Sequence, residues 1–242
     1  MQSKKERRRM VNNFVVKLCG VGIWGLGMFG ISNYANAGFV VFENAPVFEG
    51  VGFYSDGFDS KGNYNYPQSG AQAFSLEDFT TVGGLTWWGS MNGFFGQGLT
   101  NVDCFQIVVW DSAFENQIYS KRVDISDITI SSTGMDSFYG QPVYQFGVDA
   151  LDVADFNLTS GSYFMNIGAI LNISTGDQFV WSQGENVEGF WYTDSNNWGS
   201  WQPLPTQIEN TAGGAFQMYA LVPSPSAIAL LGMAGLVARR RR

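Results

Sequence analysis

The chain contains no histidine and only two cysteines among its 242 residues. Without imidazole, the commonest general base near neutral pH and the commonest zinc ligand are both missing. His-based triads, HExxH zinc sites and mixed Cys/His zinc sites are therefore excluded. Cations are also scarce, 13 Lys and Arg against 21 Asp and Glu, for a formal charge of -8 and a pI near 4.4. A nucleic-acid surface needs clustered cations to displace counterions, so nucleic acid is excluded as a partner. What the chain has in quantity is glycine, 30 residues, and aromatic side chains, 16% of the total. That length and composition support one domain, or two small ones, with a substantial core.

The first segment opens with Lys4, Lys5, Arg7, Arg8 and Arg9 and continues through an apolar, Gly-rich stretch from Leu18 to Ile31. It ends on small residues at alternate positions, in Ala35-Asn36-Ala37. A cationic head, a short apolar middle and this ending predict a secretory signal peptide over residues 1–37, cut after Ala37. A retained anchor is the alternative, but the apolar run falls short of the roughly 20 residues that cross a bilayer, and Lys17 blocks its extension. Cys19 leaves with such a signal, so the mature body keeps Cys104 alone and forms no internal disulfide.

At the other end, Val222-Pro223-Ser224-Pro225-Ser226 precedes a nearly uninterrupted apolar stretch from Ala227 to Ala238, and Arg239, Arg240, Arg241 and Arg242 follow. The prolines discourage regular structure at the junction, and the arginines favour the cytoplasmic side of a membrane. As a helix the apolar stretch reaches about 18 Å, too short for a comfortable permanent span. An ordinary C-terminal membrane helix is one reading of this segment.

These parts, in this order, resemble the PEP-CTERM sorting signal of bacterial exported proteins, a Pro-x-Pro motif followed by a hydrophobic helix and an Arg cluster. The resemblance covers residues 222–242, and it departs from the commonest form at Ser224, where Glu usually stands. It implies handling by an exosortase, a membrane-embedded cysteine protease or transpeptidase, after passage through the secretion machinery. It also implies transient membrane association through both termini and delivery to the cell surface or an exopolysaccharide matrix. Pro223, Ser224, Pro225 and Arg239 to Arg242 would be read by another enzyme and are not catalytic here.

Between these addresses lies a body, residues 38–221, in which Lys61, Lys121 and Arg122 face 20 carboxylates, a formal charge of -17. Such charge keeps an exported protein soluble and repels anionic polymers unless divalent cations mediate. The same body holds 18 Phe, 9 Tyr and 7 Trp, enough apolar surface to fold. Short β-branched and aromatic runs predict strands at 38–43, 85–90, 104–110, 121–131, 143–148, 162–167, 177–182, 190–193 and 215–221. Over 121–131, Asp127 interrupts the alternation and reads as a bulge. No window combines a 3.6-residue period with good helix formers. The expected class is mainly β, an antiparallel β-sandwich or jelly roll, flanked by an N-terminal signal helix and a short C-terminal hydrophobic helix. The stretch 72–88, with Leu158 to Tyr163, also looks like the β-sandwich body that often accompanies this sorting signal.

The expected role is a non-enzymatic structural or interaction protein of the surface or matrix, with two candidate binding chemistries. Trp181, Trp191, Trp198 and Trp201 lie close in sequence among Gln183, Asn186, Asn196, Asn197 and Gln202. Planar apolar rings with short polar neighbours suit polysaccharide, and Trp198 and Trp201 are the surface candidates because their neighbours read as loop. Trp181 and Trp191 read equally well as core, and one of Trp87 and Trp88 must point inward. Asp149, Asp152 and Asp155 recur every third residue and offer oxygen ligands for calcium, although they lack the EF-hand pattern and also read as solvated turn acids. No other cofactor is expected. A secreted glycoside hydrolase is the remaining alternative; Glu77 with Asp78, or Glu185 with Glu188, are conceivable acid pairs, but the sequence selects neither. Cys104 has no imidazole to activate it and reads as a buried thiol.

Overall fold

The computed structural model describes residues 38–47, 50, 52–55, 69–92, 98–149, 156–171, 178–186, 189–193, 201–203 and 213–221. Among them the chain is almost entirely extended. In order it forms β1 (Val40–Asn44), β2 (Phe53–Tyr54), β3 (Ser69–Leu76), β4 (Thr80–Asn92), β5 (Val102–Asp111), β6 (Gln117–Asp124) and β7 (Thr129–Asp136). Then come β8 (Pro142–Asp149), β9 (Asn157–Leu158), β10 (Gly161–Leu171), β11 (Gln178–Trp181), β12 (Phe190–Thr193), β13 (Gln202–Pro203) and β14 (Phe216–Ala220). The only helical pieces among the described residues are short 3-10 turns at Gly98–Asn101 and Ile125–Asp127. None of the helices among these residues is long and apolar enough to cross a membrane. The signal helix and the C-terminal helix expected from the sequence lie outside the described residues.

All strand pairs are antiparallel and fall into two sheets, one of six strands in the order β13-β12-β3-β10-β5-β6 and one of eight. In the larger sheet β4 is the spine: Gly84, Leu85, Thr86 and Trp87 pair with β14 on one edge and with β8 on the other. β1 continues the sheet beyond β14, β7 continues it beyond β8, and β11, β2 and β9 complete it further along β4. The period of two along each strand puts alternate side chains on opposite faces. On β10, Tyr163, Met165, Ile167 and Ala169 join the core, whereas Phe164, Asn166 and Ile170 turn to the other face.

The inner faces of the two sheets meet through aromatic rings. Phe105 of β5 lies 5.1 Å from Trp87, 5.0 Å from Phe146 and 5.0 Å from Phe179, all three on the larger sheet. Toward the β1 side, Phe74 of β3 meets Phe42 at 5.5 Å and Phe216 at 5.8 Å. Trp181 is fully buried and donates its indole N–H to the Ala215 carbonyl at 2.9 Å, and so belongs to the core. Of the tryptophan pair, Trp87 faces inward and Trp88 packs on the outer side with Val143 and Ala215.

Backbone groups also link the sheets. Buried Ser55 donates its N–H to Phe179 in the eight-stranded sheet, at 2.9 Å, and its carbonyl accepts from Ala169 in the six-stranded sheet, at 2.9 Å. Its hydroxyl donates to the Ile167 carbonyl at 2.7 Å. These bonds satisfy polar groups of β10 beyond the end of its pairing with β3, where they would otherwise be buried without partners.

One expectation is corrected. Residues 121–131 are not a single bulged strand: β6 ends at Asp124 in the six-stranded sheet, and β7 begins at Thr129 in the eight-stranded one. The interruption at Asp127 is the 3-10 turn that carries the chain from one sheet to the other. Val123 and Ile128 both reach the core, from opposite sides of it.

Candidate functional site

The outer face of the six-stranded sheet carries a second aromatic cluster, separate from the core. Trp110 lies one residue before the end of β5, Phe164 on β10, Trp191 on β12, and Trp201 immediately precedes β13. Phe114, from the β5–β6 hairpin, is the ring that joins them. It stacks on Phe164 at 4.1 Å and 22° and on Trp201 at 4.8 Å and 15°, with Trp191 at 5.3 Å. Trp201 also meets Trp110 at 6.1 Å in an edge-on arrangement. Phe164 is buried, whereas Trp110, Phe114, Trp191 and Trp201 are half-buried. Further along the same face, Gln106 accepts from the Arg122 Nε at 3.1 Å and donates to the Ser120 hydroxyl at 2.8 Å.

Phe114 reaches the cluster through an unusual backbone. Its φ is +57°, the only positive value for a non-glycine among the described residues. A bulky side chain adopts that region only where its surroundings over-determine it. Asp111 supplies the determination. Its carboxylate accepts from the backbone N–H groups of Ala113 at 3.2 Å, Glu115 at 2.9 Å and Asn116 at 3.1 Å, and from the Asn116 side-chain amide at 2.6 Å. The Phe114 N–H donates to the Asp111 carbonyl at 3.1 Å and closes the turn.

These bonds favour the ionised carboxylate. The Asn116 amide, foremost, and the backbone donors hold the Asp111 pKa below the ordinary 3.8, against an opposing desolvation effect. A pKa lowered on folding contributes stability that is fully present above 3.8 and is lost as the pH falls through the folded value. Acid titration of the near-UV circular dichroism, which reports the stacked rings, is therefore expected to show a loss of signal beginning below pH 3.8. Asp111→Asn keeps one acceptor oxygen but cannot titrate, and should suppress that acid step. Identical titrations of the two proteins would refute the assignment.

The other residues singled out in the sequence do not join this cluster where they are described. Asp149 ends β8, opposite Gly84; it is exposed, yet the strands packed around it raise its pKa by desolvation. Asp152 and Asp155 lie outside the described residues, as do Trp198, Ala35, Ala37, Glu188, Pro223, Ser224, Pro225 and Arg239 to Arg242. Among the described residues no group of three or more His, Cys, Asp or Glu side chains is placed to hold a metal ion. Glu77 and Asp78 are exposed in the β3–β4 turn, and Glu185 is exposed with its N–H donated to the Ala45 carbonyl at 2.8 Å. Cys104 is a buried free thiol; burial, foremost, pushes its pKa up, and neighbouring Arg122 opposes the shift only in part. That environment disfavours the thiolate a nucleophile needs.

Comparison of the chain with protein-family models, with curated proteins and with solved structures found no match in any of the three.

Trp110, Phe114 and Phe164 were not among the sequence candidates. A signal for Phe114 was present, a single aromatic within the polar run Asp111-Ser112-Ala113-Phe114-Glu115-Asn116. In this turn the ring finds apolar cover from Phe164, Trp191 and Trp201.

Proposed function

We propose that this chain is an exported cell-surface or exopolysaccharide-matrix protein of structural or interaction type, with a β-sandwich or jelly-roll body delivered by its two terminal segments. The observation that carries this reading is the division of charge: cationic segments of +5 over residues 1–37 and +4 over 222–242 enclose a body of -17. Cationic flanks beside apolar stretches hold the cytoplasmic side of a membrane, whereas an acidic, aromatic-rich body suits the outside. On this reading the partners are the secretion machinery and an exosortase, which would recognise Pro223, Ser224, Pro225 and Arg239 to Arg242. The test is replacement of the four arginines with serine, or of Pro223 and Pro225 with alanine, in a host that contains an exosortase. Mass spectrometry of the surface fraction should find the wild-type C-terminus trimmed and both variants retaining their tails. Equal trimming of all three would overturn the sorting reading.

A second reading, polysaccharide binding by the body, is favoured by the cluster around Trp201. Rings that are already stacked and half-exposed present flat apolar area at little entropic cost, and Gln106, Ser120 and Arg122 add hydroxyl-binding groups on the same face. Calcium at Asp149, Asp152 and Asp155 belongs to the same reading as an aid to adhesion. A polysaccharide array probed with and without calcium distinguishes the two. Binding that Trp201→Ala abolishes would support the second reading, and absence of binding in both conditions would leave the structural role.

A further inference from the structure

We infer that the end of the body formed by Phe39, Val40, Phe79 and Leu221 rests on a lipid bilayer surface while the C-terminal segment holds the chain at the membrane. The inference rests on the reading of residues 222–242 as membrane-seeking and adds to it a docking face on the folded body. Three strand ends build that face. The Ala220 N–H donates to the Phe39 carbonyl at 3.0 Å, which places Phe39 beside the end of β14. The Leu221 N–H donates to the Thr81 carbonyl at 2.8 Å, which places Leu221 beside the start of β4, two residues past Phe79 in the β3–β4 turn. Phe39 is 66% exposed, Phe79 65%, Leu221 46% and Val40 45%. Large apolar side chains gathered in this way and left in water mark a surface that meets something else.

The occupant follows from where the chain leaves. Only five residues, Val222 to Ser226, separate Leu221 from the apolar stretch that starts at Ala227. Fully extended, they span no more than about 18 Å. If the stretch from Ala227 inserts, the Phe39–Phe79 end is tethered within about that distance of the bilayer. Its exposed phenylalanines suit the apolar side of the headgroup region, while Glu77 and Asp78 beside Phe79 stay in water and favour a neutral surface over an anionic one. Docking would also hold the Pro-x-Pro junction at the bilayer, where a membrane-embedded protease acts.

The opposite end of β4 provides the internal control. The β7–β8 hairpin carries its own exposed rings, Phe138 at 63% and Tyr139 at 43%. Twelve residue steps along β4, from Thr80 to Asn92, put the two ends roughly 40 Å apart. The full chain, in a Cys19→Ser background, would carry a thiol-reactive fluorophore at Phe79→Cys or at Phe138→Cys; the remaining Cys104 is buried. Each labelled protein is mixed with phosphatidylcholine vesicles containing brominated chains. Docking predicts quenching at position 79 and none at 138. If the protein floats with the vesicles and position 79 stays unquenched, or 138 is quenched instead, the docking face is wrong while membrane association through the terminal segments survives. If the protein does not float at all, both fail.

Discussion

Replacing Phe105 with alanine is expected to cost about 3–5 kcal/mol of folding free energy, the range for a fully buried phenylalanine truncated in a close-packed core. Phe105 is wholly excluded from solvent, and the six-stranded sheet sends it into a pocket walled by Trp87, Phe146 and Phe179 of the other sheet. Trp87 and Phe146 already stack on each other, 5.6 Å apart at 12°, so neither can swing into the space without losing a ring contact. The void should therefore collapse poorly, which puts the loss toward the upper part of the range. Domains of this size are held by about 5–15 kcal/mol in total, and Cys104, a free thiol, adds no covalent reserve. Urea or guanidinium unfolding gives the measurement: the midpoint should fall markedly at an unchanged slope. Phe138→Ala, at the exposed hairpin tip, should stay within about 0.5 kcal/mol of wild type. Comparable losses for the two variants would mean that Phe105 is not the inter-sheet contact described here.

The strands that could be read in advance were those whose side chains decide their own conformation. Val102–Asp111, with its Val, Ile, Cys and Phe residues, announces a central strand and lies between β10 and β6. β3 was not proposed as a strand because Ser69-Gly70-Ala71-Gln72-Ala73 has neither β-branching nor bulk. Its small residues are a response to neighbours distant in sequence. A side chain on Gly189, which has a φ of +71°, would meet the Ala73 Cβ at 2.6 Å, so both positions stay small to let β12 approach. Burial of Gln72 is likewise set from afar, by the Gly214 N–H that donates to its Oε1 at 3.2 Å. The change of sheet after Asp124 was read as a bulge for the same reason. A local break in alternation looks alike whether the chain kinks within a sheet or leaves it.

The candidate site was legible in two members, Trp191 and Trp201, and of these only Trp201 reads as a surface residue rather than as core. Trp201 stood out as an aromatic in a polar loop, and it does sit on the outer face, but Trp181, from the same stretch of sequence, is core. Proximity along the chain grouped Trp191 and Trp201 with a core ring, Trp181, and missed the rings that other strands supply. β5 and β10 are adjacent in the sheet although more than fifty residues apart, and their pairing of Trp110 with Phe164 builds the ledge on which Phe114 and Trp201 stack. Cys104 was legible because its chemistry is negative: with no histidine in the chain and apolar neighbours on its strand, a buried thiol was the expectation that burial at 6% exposure meets.

Asn44→Ala is expected to cost about 3 kcal/mol, more than its single small side chain suggests, because each buried polar group left without a partner costs roughly 1–3 kcal/mol. Asn44 ends β1 at 2% exposure, and its amide joins three stretches of chain. Nδ2 donates to the carbonyls of Asn186 and Gly214, each at 3.0 Å, and Oδ1 accepts the Asn186 N–H at 2.8 Å. Only this orientation of the amide pairs both donors with carbonyls and the oxygen with an N–H. Gly184 lies directly against it, so that a Cβ there would run into the amide. Gly184→Ala should therefore destabilise the wild-type protein by about 1–3 kcal/mol through overpacking, yet cost much less once Asn44 is alanine and the amide is gone. A double-mutant cycle by chemical denaturation reads this as a coupling of about 0.5–3 kcal/mol. Additive losses would separate Gly184 from Asn44. The loss from Asn44→Ala alone would then be assigned to the β1 end of the eight-stranded sheet, without the clamp that holds 184–186 and 213–215 against it.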